Sequence, residues 1–458
     1  MKTIWSSQDL SLALSQEVNF SGNEPQFNSK DIKPEDFFIA MRSTNDGHDY
    51  VQDALDRGAS FAIVQYIPEG LASNDRLVLV DNTYQALLDL AHFRRNQSNA
   101  KIIAITGSSG KTSTKINLTQ ILSHFGKTFA SKKSFNNYLG VPITLASLPL
   151  DAKYAVIEIG TNHPGEIKPL AQMTKPHIAI ITNIGPSHIG NFGSIYSIAE
   201  EKAHIFQGLT IDSVAIIHKD LDEQIFEKLN TSARLAGAKN ILTFGGENSN
   251  CALRNYKLLN QNTAAVDFKL GNIIFNFKTR VTGKHQATNL LAIILITSCL
   301  EFDVEEVISL FNQLEPLQGR GELINLSKFS TKFSILDDSY NANPSSMKAA
   351  LENLAQIQSL KKVAILADML ELGSQAQDYH QELKEHLINS GVYKFIAIGP
   401  LMKNLYDIID GEMVKYYFTG YRNLISNIQE LIDKNDIVLF KGSNGTNLHE
   451  VVKFLKQE

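Results

Sequence analysis

Lys101–Thr114 reads KIIAITGSSGKTST, and the fold follows from how that stretch is divided. The short apolar run Ile102–Ile105 has the character of a buried strand. Gly107, Ser108, Ser109, Gly110, Lys111 and Thr112 follow at once, and then a helical pattern that ends near Phe125. A strand, a glycine turn and a helix N-terminus in that order make a phosphate cradle, because backbone N–H groups at the turn point together at an anion. Lys111 can then reach terminal phosphates and the Thr112 hydroxyl can coordinate Mg²⁺. The usual P-loop places a glycine five residues before its Gly-Lys pair; here that position is Ile105 and the first glycine is Gly107, a shortened form. The expected chemistry is that of a nucleoside triphosphate.

Outward from this stretch, strand and helix patterns alternate over roughly 100–315, with strands expected at 154–159, 177–184, 213–218 and 240–244. Such alternation predicts a mostly parallel sheet covered by helices on both faces. Residues 251–282 read instead as short antiparallel strands, an appended sheet before a helix at about 287–300. Residues 1–82 read as a small α/β module, with strands at 36–41, 61–64 and 77–80. A third unit, 316–458, has strands at 333–337, 362–367, 395–398 and 436–441, a second doubly wound pattern without a GxGxxG turn. The fold class expected is therefore α/β in three domains: 1–82, 83–315 and 316–458.

The 458 residues carry 43 Lys and Arg against 48 Asp and Glu, a net charge of −5 without a long block of one sign. That balance gives no reason to expect nucleic-acid binding. The two cysteines, Cys251 and Cys299, have no metal-ligand spacing around them, which suits a reducing cytoplasmic compartment. The start, MKTIWSSQDLSLAL, has no signal-peptide core, and no apolar run is long enough for a membrane span.

Several residues have two readings on their own. Glu158 ends an apolar strand, either as a surface acid or as a Mg²⁺ ligand beside Thr112. His188, in the glycine-rich segment after the next strand, is a bonded loop residue or a metal or phosphate ligand. Lys202 by position is a solvated helix lysine. His285 and Asn289, at a helix start, either cap it or read an adenine edge. Arg320 lies between glycines at a domain junction, as an interdomain ion pair or a phosphate clamp. Asp337 and Asp338 end a strand where acids can accept ribose hydroxyls. Tyr340, Asn341 and Asn343 follow, with Ser345 or Ser346 as the alternative cap of the next helix.

TGSSGKTST (106–114), SFNNYLGVPITL (134–145), VIEIGTNHPGEI (156–167), GKHQATN (283–289), DDSYNANPSSM (337–347), ADMLELG (367–373) and VLFKGS (438–443) together resemble the Mur ligase family, in order and over essentially the whole chain. MRSTNDGHDYVQDA (41–54) resembles a UDP-sugar module of that family. The resemblance implies ATP and Mg²⁺ as cofactors and an acyl-phosphate route to an amide, joining D-alanyl-D-alanine to UDP-N-acetylmuramoyl-tripeptide in peptidoglycan precursor synthesis. It assigns phosphate and Mg²⁺ to Lys111 and Thr112, and further metal or phosphate contacts to Glu158 and His188. Lys202 falls on a lysine that is carbamylated in relatives, where the carbamate helps hold a second Mg²⁺. The adenine side goes to His285 and Asn289, a phosphate contact to Arg320 and ribose to Asp338. Ser43, Thr44, Asp46, His48, Asn136 and Asn137 fall in UDP-substrate segments, and Asn341 and Asn343 where acyl end and dipeptide meet. A monomer is expected. Other amide ligases of the family, folylpolyglutamate-type enzymes and a non-catalytic nucleotide switch are the rival readings. The Asp-Asn-Pro-Arg motif usual in diaminopimelate- or lysine-adding members does not occur.

Overall fold

The computed structural model of the protein describes residues 4–132, 134–359 and 361–457. Three sheets carry it, with four, nine and six strands. The strand Lys101–Thr106 lies inside the nine-stranded sheet between Tyr154–Glu158 and Ile178–Ile181, parallel to both. Its side chains alternate between two cores. Ile102 and Ala104 join Ala155, Ile157, Ala179 and Ile181 on one face, whereas Ile103 and Ile105 join Val156, Ile178 and Ile180 on the other. A continuous apolar run is therefore what a central parallel strand, covered on both faces, requires. The turn after it is held at the C-terminal edge of the sheet, where ligands bind in open parallel sheets.

Residues 251–282 are not a separate sheet. Cys251–Asn260, Thr263–Leu270 and Ile273–Thr279 form an antiparallel meander, but Phe244 pairs with Cys251 and Gly245 with Ala252, so the meander continues the nine-stranded sheet. Only residues 246–250 separate the two strands, so this parallel contact is confined to the two pairs Phe244–Cys251 and Gly245–Ala252.

The first four strands, Pro25–Gln26, Phe37–Ile39, Ala62–Val64 and Leu77–Leu79, form an all-parallel sheet. Its core runs without a break into one face of the central sheet: Trp5, Phe37, Phe61 and Leu90 belong to the cluster that holds Ile102 and Ile157. The indole of Trp5 donates to the Ala146 carbonyl at 2.9 Å, which ties the chain start to the central unit.

In the third sheet Glu322–Lys328 pairs antiparallel with Thr331–Asp338, and the next four strands are parallel. Glu322–Lys328, Val414–Phe418 and Thr128–Ala130 escape a reading based on apolar runs because all three are half-exposed edge strands. No helix among the described residues is long and apolar enough to cross a membrane.

His177 links this framework to acid stability. Its Nδ1 accepts the N–H of Ile102 at 3.0 Å, at the entry to the strand that feeds the phosphate turn. Burial first, then Lys101 and Arg95, push its pKa from the usual 6.5 to about 4. A depressed histidine favours the fold while neutral. Its contribution is complete above about pH 6.5 and is lost as pH falls from there toward 4. Half-burial and solvent screening reduce the full linkage to about 1 kcal/mol. Urea midpoints measured between pH 7.5 and 4 should fall in the wild type, and more shallowly in His177→Gln; parallel curves would remove His177 as a cause.

Candidate active site

A cavity of about 460 Å³ opens where the central and C-terminal sheets meet. Its floor is the phosphate turn. Gly107 has φ +152°, and a Cβ there would lie 2.0 Å from Thr182 Oγ1, so only glycine fits. Thr182 Oγ1 donates to the Ser109 carbonyl at 2.6 Å, Asn183 Nδ2 to Ser109 Oγ at 3.0 Å, and Ser108 Oγ to the Gly185 carbonyl at 2.9 Å. The two serines thus anchor the loop to the neighbouring strand end. The anion-binding groups left at the turn are its backbone N–H groups, Lys111 and Thr112. The helix Lys111–Phe125 starts here with no side-chain cap.

Lys111 Nζ donates to the Gly107 carbonyl at 2.7 Å. Burial holds its pKa below the usual lysine range, with Glu158 opposing and Arg320 adding to the effect. Glu158, 1% exposed, collects three partners. Oε1 accepts from Thr112 Oγ1 at 3.1 Å and Asn136 Nδ2 at 2.7 Å, and Oε2 faces Lys115 Nζ at 3.2 Å. Burial alone would raise the Glu158 pKa, but Lys115 and Lys111 outweigh it and keep the carboxylate ionised. The surface-acid reading of Glu158 is therefore set aside. Asn136 orients this carboxylate.

Lys202 is only 2% exposed, in the last turn of Ile195–Ala203. It does not line the cavity, yet its charge acts on both Lys111 and His188. Burial first, then Lys111, lower its pKa well below the usual range. The neighbouring Glu201 already accepts from the Gly165 and Ile167 N–H groups, each at 2.8 Å. Lys202 is thus a buried amine and not a solvated one. His188 lines the cavity with Nδ1 against the Glu371 carboxylate of the third sheet's unit. Burial, the largest influence, lowers its pKa.

His285 and Asn289 line the cavity from the first turns of Lys284–Cys299, whose N-cap is Gly283 with no side-chain bond. Neither residue caps the helix. Asn289 lies beside Gly110, where an added Cβ would meet Nδ2 at 2.8 Å. The His285 pKa falls to about 4 through burial and then Lys441, although the ring is open to the cavity's solvent. The ring is therefore neutral near pH 7.

From the C-terminal side come Arg320, Asp338, Asn341 and Asn343. The Arg320 guanidinium stacks 4.0 Å from the Tyr340 ring, and Tyr340 Oη shares a hydrogen bond of 2.7 Å with Ser134 across the interface. Asp338 pairs with Lys441 at 2.7 Å; burial raises its pKa and Lys441 opposes that. Asn341 Oδ1 accepts the Asn444 N–H at 3.2 Å. Asn343, and not Ser345 or Ser346, caps the next helix: Oδ1 accepts the Ser346 N–H at 2.8 Å, with Pro344 at the first turn. Its Nδ2 also donates to the Ser108 carbonyl at 3.2 Å, so it fastens the C-terminal sheet to the phosphate turn.

Of the UDP-segment residues, Asn136 lines this cavity, whereas Ser43, Thr44, Asp46, His48 and Asn137 do not. Ser43 and Thr44 are exposed on a turn of the four-stranded unit. His48 is buried with both ring nitrogens engaged, Nδ1 with Asp46 at 2.6 Å and Nε2 accepting the Gln65 N–H at 2.9 Å. Asp46 also accepts from Tyr66 Oη at 3.0 Å. Asp46 and His48 thus shape the turn, and their side chains have little left for a ligand. Asn137 is likewise engaged locally, accepting the Leu139 and Gly140 N–H groups at 3.2 and 2.9 Å. Sequence reasoning passed over Ser134, Thr182, Asn183, Glu371 and Lys441; their signal is a polar residue within a few positions of a strand end, which is too common to single them out.

Turn, cavity and topology define a class: multidomain P-loop α/β proteins in which a second doubly wound sheet covers the phosphate turn. Residues 105–297 match the Mur ligase middle domain, and 319–444 match the domain described as "Mur ligase, glutamate ligase domain". UDP-N-acetylmuramoyl-tripeptide–D-alanyl-D-alanine ligase of Rickettsia prowazekii (strain Madrid E) is 38% identical over 98% of this chain and 99% of its own. The ligase of the same name from Buchnera aphidicola subsp. Baizongia pistaciae (strain Bp) is 33% identical over 94% and 91%. A crystal structure of MurF from Acinetobacter baumannii superposes with a TM-score of 0.86 at 27% identity, covering 98% of each chain. The chain belongs to the Mur ligase family.

Proposed function

We propose that this chain is the ATP-dependent ligase that joins D-alanyl-D-alanine to UDP-N-acetylmuramoyl-tripeptide, releasing ADP and phosphate, in peptidoglycan precursor synthesis. The observation that carries the reading is the convergence of Lys111, Thr112 and Glu158 from the central sheet with Arg320 and Asp338 from the C-terminal sheet on one cavity. The relatives that match end to end bear that ligase's name. In this reading residues 1–82 hold the UDP end, 83–315 hold ATP and 316–458 receive the dipeptide. All of these groups come from one chain, so a monomer suffices.

The chemistry needs charge neutralisation before anything else. An acceptor carboxylate must approach a terminal phosphate, and one unit-charge pair at about 4 Å with an effective dielectric near 20 costs about 4 kcal/mol. Lys111 and Arg320 reach this end of the cavity as fixed cations. Thr112 and Glu158 fit Mg²⁺: a hydroxyl and an ionised carboxylate lie side by side, and Glu158 Oε2 has no aligned hydrogen bond, only Lys115 facing it. When bound, Mg²⁺ would supply further charge stabilisation at the phosphates. Asp338, held by Lys441, would accept ribose hydroxyls, and His285 and Asn289 would contact the base. Tyr340, Asn343 and the helix that Asn343 caps close the C-terminal sheet over the turn, which excludes water from an acyl phosphate.

Purified protein with ATP, Mg²⁺, the UDP-linked tripeptide and D-alanyl-D-alanine should release phosphate only when both substrates are present, with amide product seen by mass spectrometry. Nucleotide binding with no dipeptide-dependent phosphate release would replace the ligase with a nucleotide switch.

A further inference from the structure

The junction between His188 and Glu371 is built more tightly than an exposed ion pair requires. Both residues are non-glycines in the left-handed region, with φ +56° and +63°. Such conformations persist where the surroundings impose them. The Gly190 N–H donates to the Glu371 carbonyl at 3.0 Å. A Cβ on Gly190 would lie 2.8 Å from the Gly373 nitrogen, and one on Gly373 would lie 2.8 Å from the Gly190 Cα. Two glycines thus let the main chains of the two units touch at this point. There the Glu371 carboxylate meets Nδ1 of His188. That nitrogen is buried and makes no aligned hydrogen bond among the described residues, so the Glu371 carboxylate is the charged group that faces it.

An ionised carboxylate can only accept, so a ring nitrogen that faces one carries the hydrogen, and the other nitrogen is left with its lone pair. Histidines that serve a metal or phosphate site are commonly oriented in this way by an outer carboxylate. We propose that Glu371 is a positioning residue for His188: it takes the Nδ1 side of the ring and leaves Nε2 for the phosphate end of the cavity. Glu371 belongs to the C-terminal unit, so His188 acquires this orientation only when that unit is docked on the phosphate turn. Assembly of the site is thereby tied to closure of the two sheets. The inference rests on the ligase reading above.

The test uses full-length enzyme labelled with ¹⁵N-histidine, in the presence of ADP and Mg²⁺. Long-range ¹H–¹⁵N correlation gives the tautomer, and His188 is assigned by the loss of its signal in His188→Asn. The wild type should show His188 as the Nδ1–H tautomer, and Glu371→Ala should shift it toward Nε2–H. Glu371→Ala should lose roughly 10- to 100-fold in kcat while KM for ATP changes by less than about threefold. Its melting temperature should hold, because a half-exposed pair adds little stability. Gly190→Ala, which forces the two main chains apart, should produce a similar kcat loss. A wild-type His188 in the Nε2–H form, or Glu371→Ala turning over within about twofold of wild type, overturns the proposal. The tautomer is read without turnover, so failure of the ligase reading and failure of this one appear in different measurements.

Discussion

Lys111→Ala should lose about a thousandfold or more in ATP-dependent ligation and keep its fold. The ammonium is half-buried and sits at the glycine turn in the cavity floor, where the proposed phosphate would lie. A lysine–phosphate pair at about 4 Å with an effective dielectric near 20 contributes about 4 kcal/mol. Withdrawn from the transition state, that is roughly a factor of a thousand in rate. Stability should move the other way. Burial depresses the Lys111 pKa, so below about pH 10.5 the half-buried ammonium costs folding free energy that an alanine does not. The prediction is a pair of measurements: kcat/KM from coupled ADP release, and a thermal melt. A variant with near-normal turnover would remove Lys111 from the mechanism. One that loses both activity and cooperative melting would show that the lysine holds the turn together.

Lys202→Ala should be nearly inactive and should recover part of its activity in millimolar formate or acetate. The wild-type amine is buried, and its depressed pKa leaves more of it neutral near pH 7 than an ordinary lysine would be. A neutral amine is the form that adds to CO₂. A carbamate there would turn a repulsive neighbour of Lys111 into an anionic one, and a small carboxylate could fill the same space in the alanine variant. The measurement is turnover of the variant with and without the added acid, beside intact-mass analysis of the wild type under bicarbonate. Wild-type turnover in the variant, or inactivity that no small acid relieves, would leave the carbamate without support. The adjacent acid in the chain, Glu201, cannot substitute for it without releasing the Gly165 and Ile167 N–H groups it already accepts.

The phosphate turn was legible before any coordinates, because its chemistry is local. Strand, glycine turn, lysine and threonine are consecutive, and the Gly107 backbone requirement arises within a few residues. The central strands were legible for a related reason: a strand covered on both faces must be apolar throughout, and runs such as Ile102–Ile105 and Val363–Leu366 announce it. Edge strands such as Glu322–Lys328 satisfy only one face, so their sequence alternates weakly and passes unnoticed.

The roles of individual polar residues divide along the same line. Sequence singled out Glu158, Asn136, His188 and Asn343. It could not say that Asn136 holds Glu158, that Glu371 takes one side of His188, or that Asn343 caps a helix while reaching the turn. Each of those contacts joins residues 22 to 235 positions apart or competes with a local bond, and the winner depends on which atoms the fold brings within about 3 Å. His48 makes the point from the other side: its segment resembles a substrate module, yet Asp46 and Gln65 use both ring nitrogens. The sequence by itself determined the α/β order, the phosphate turn and the family resemblance, because periodicity and contiguous motifs are properties of neighbours in the chain. Which side chains face the cavity, which are held by another and which amines are buried was decided only by the tertiary structure, because hydrogen bonding and desolvation act between groups that are distant in the chain and adjacent in space.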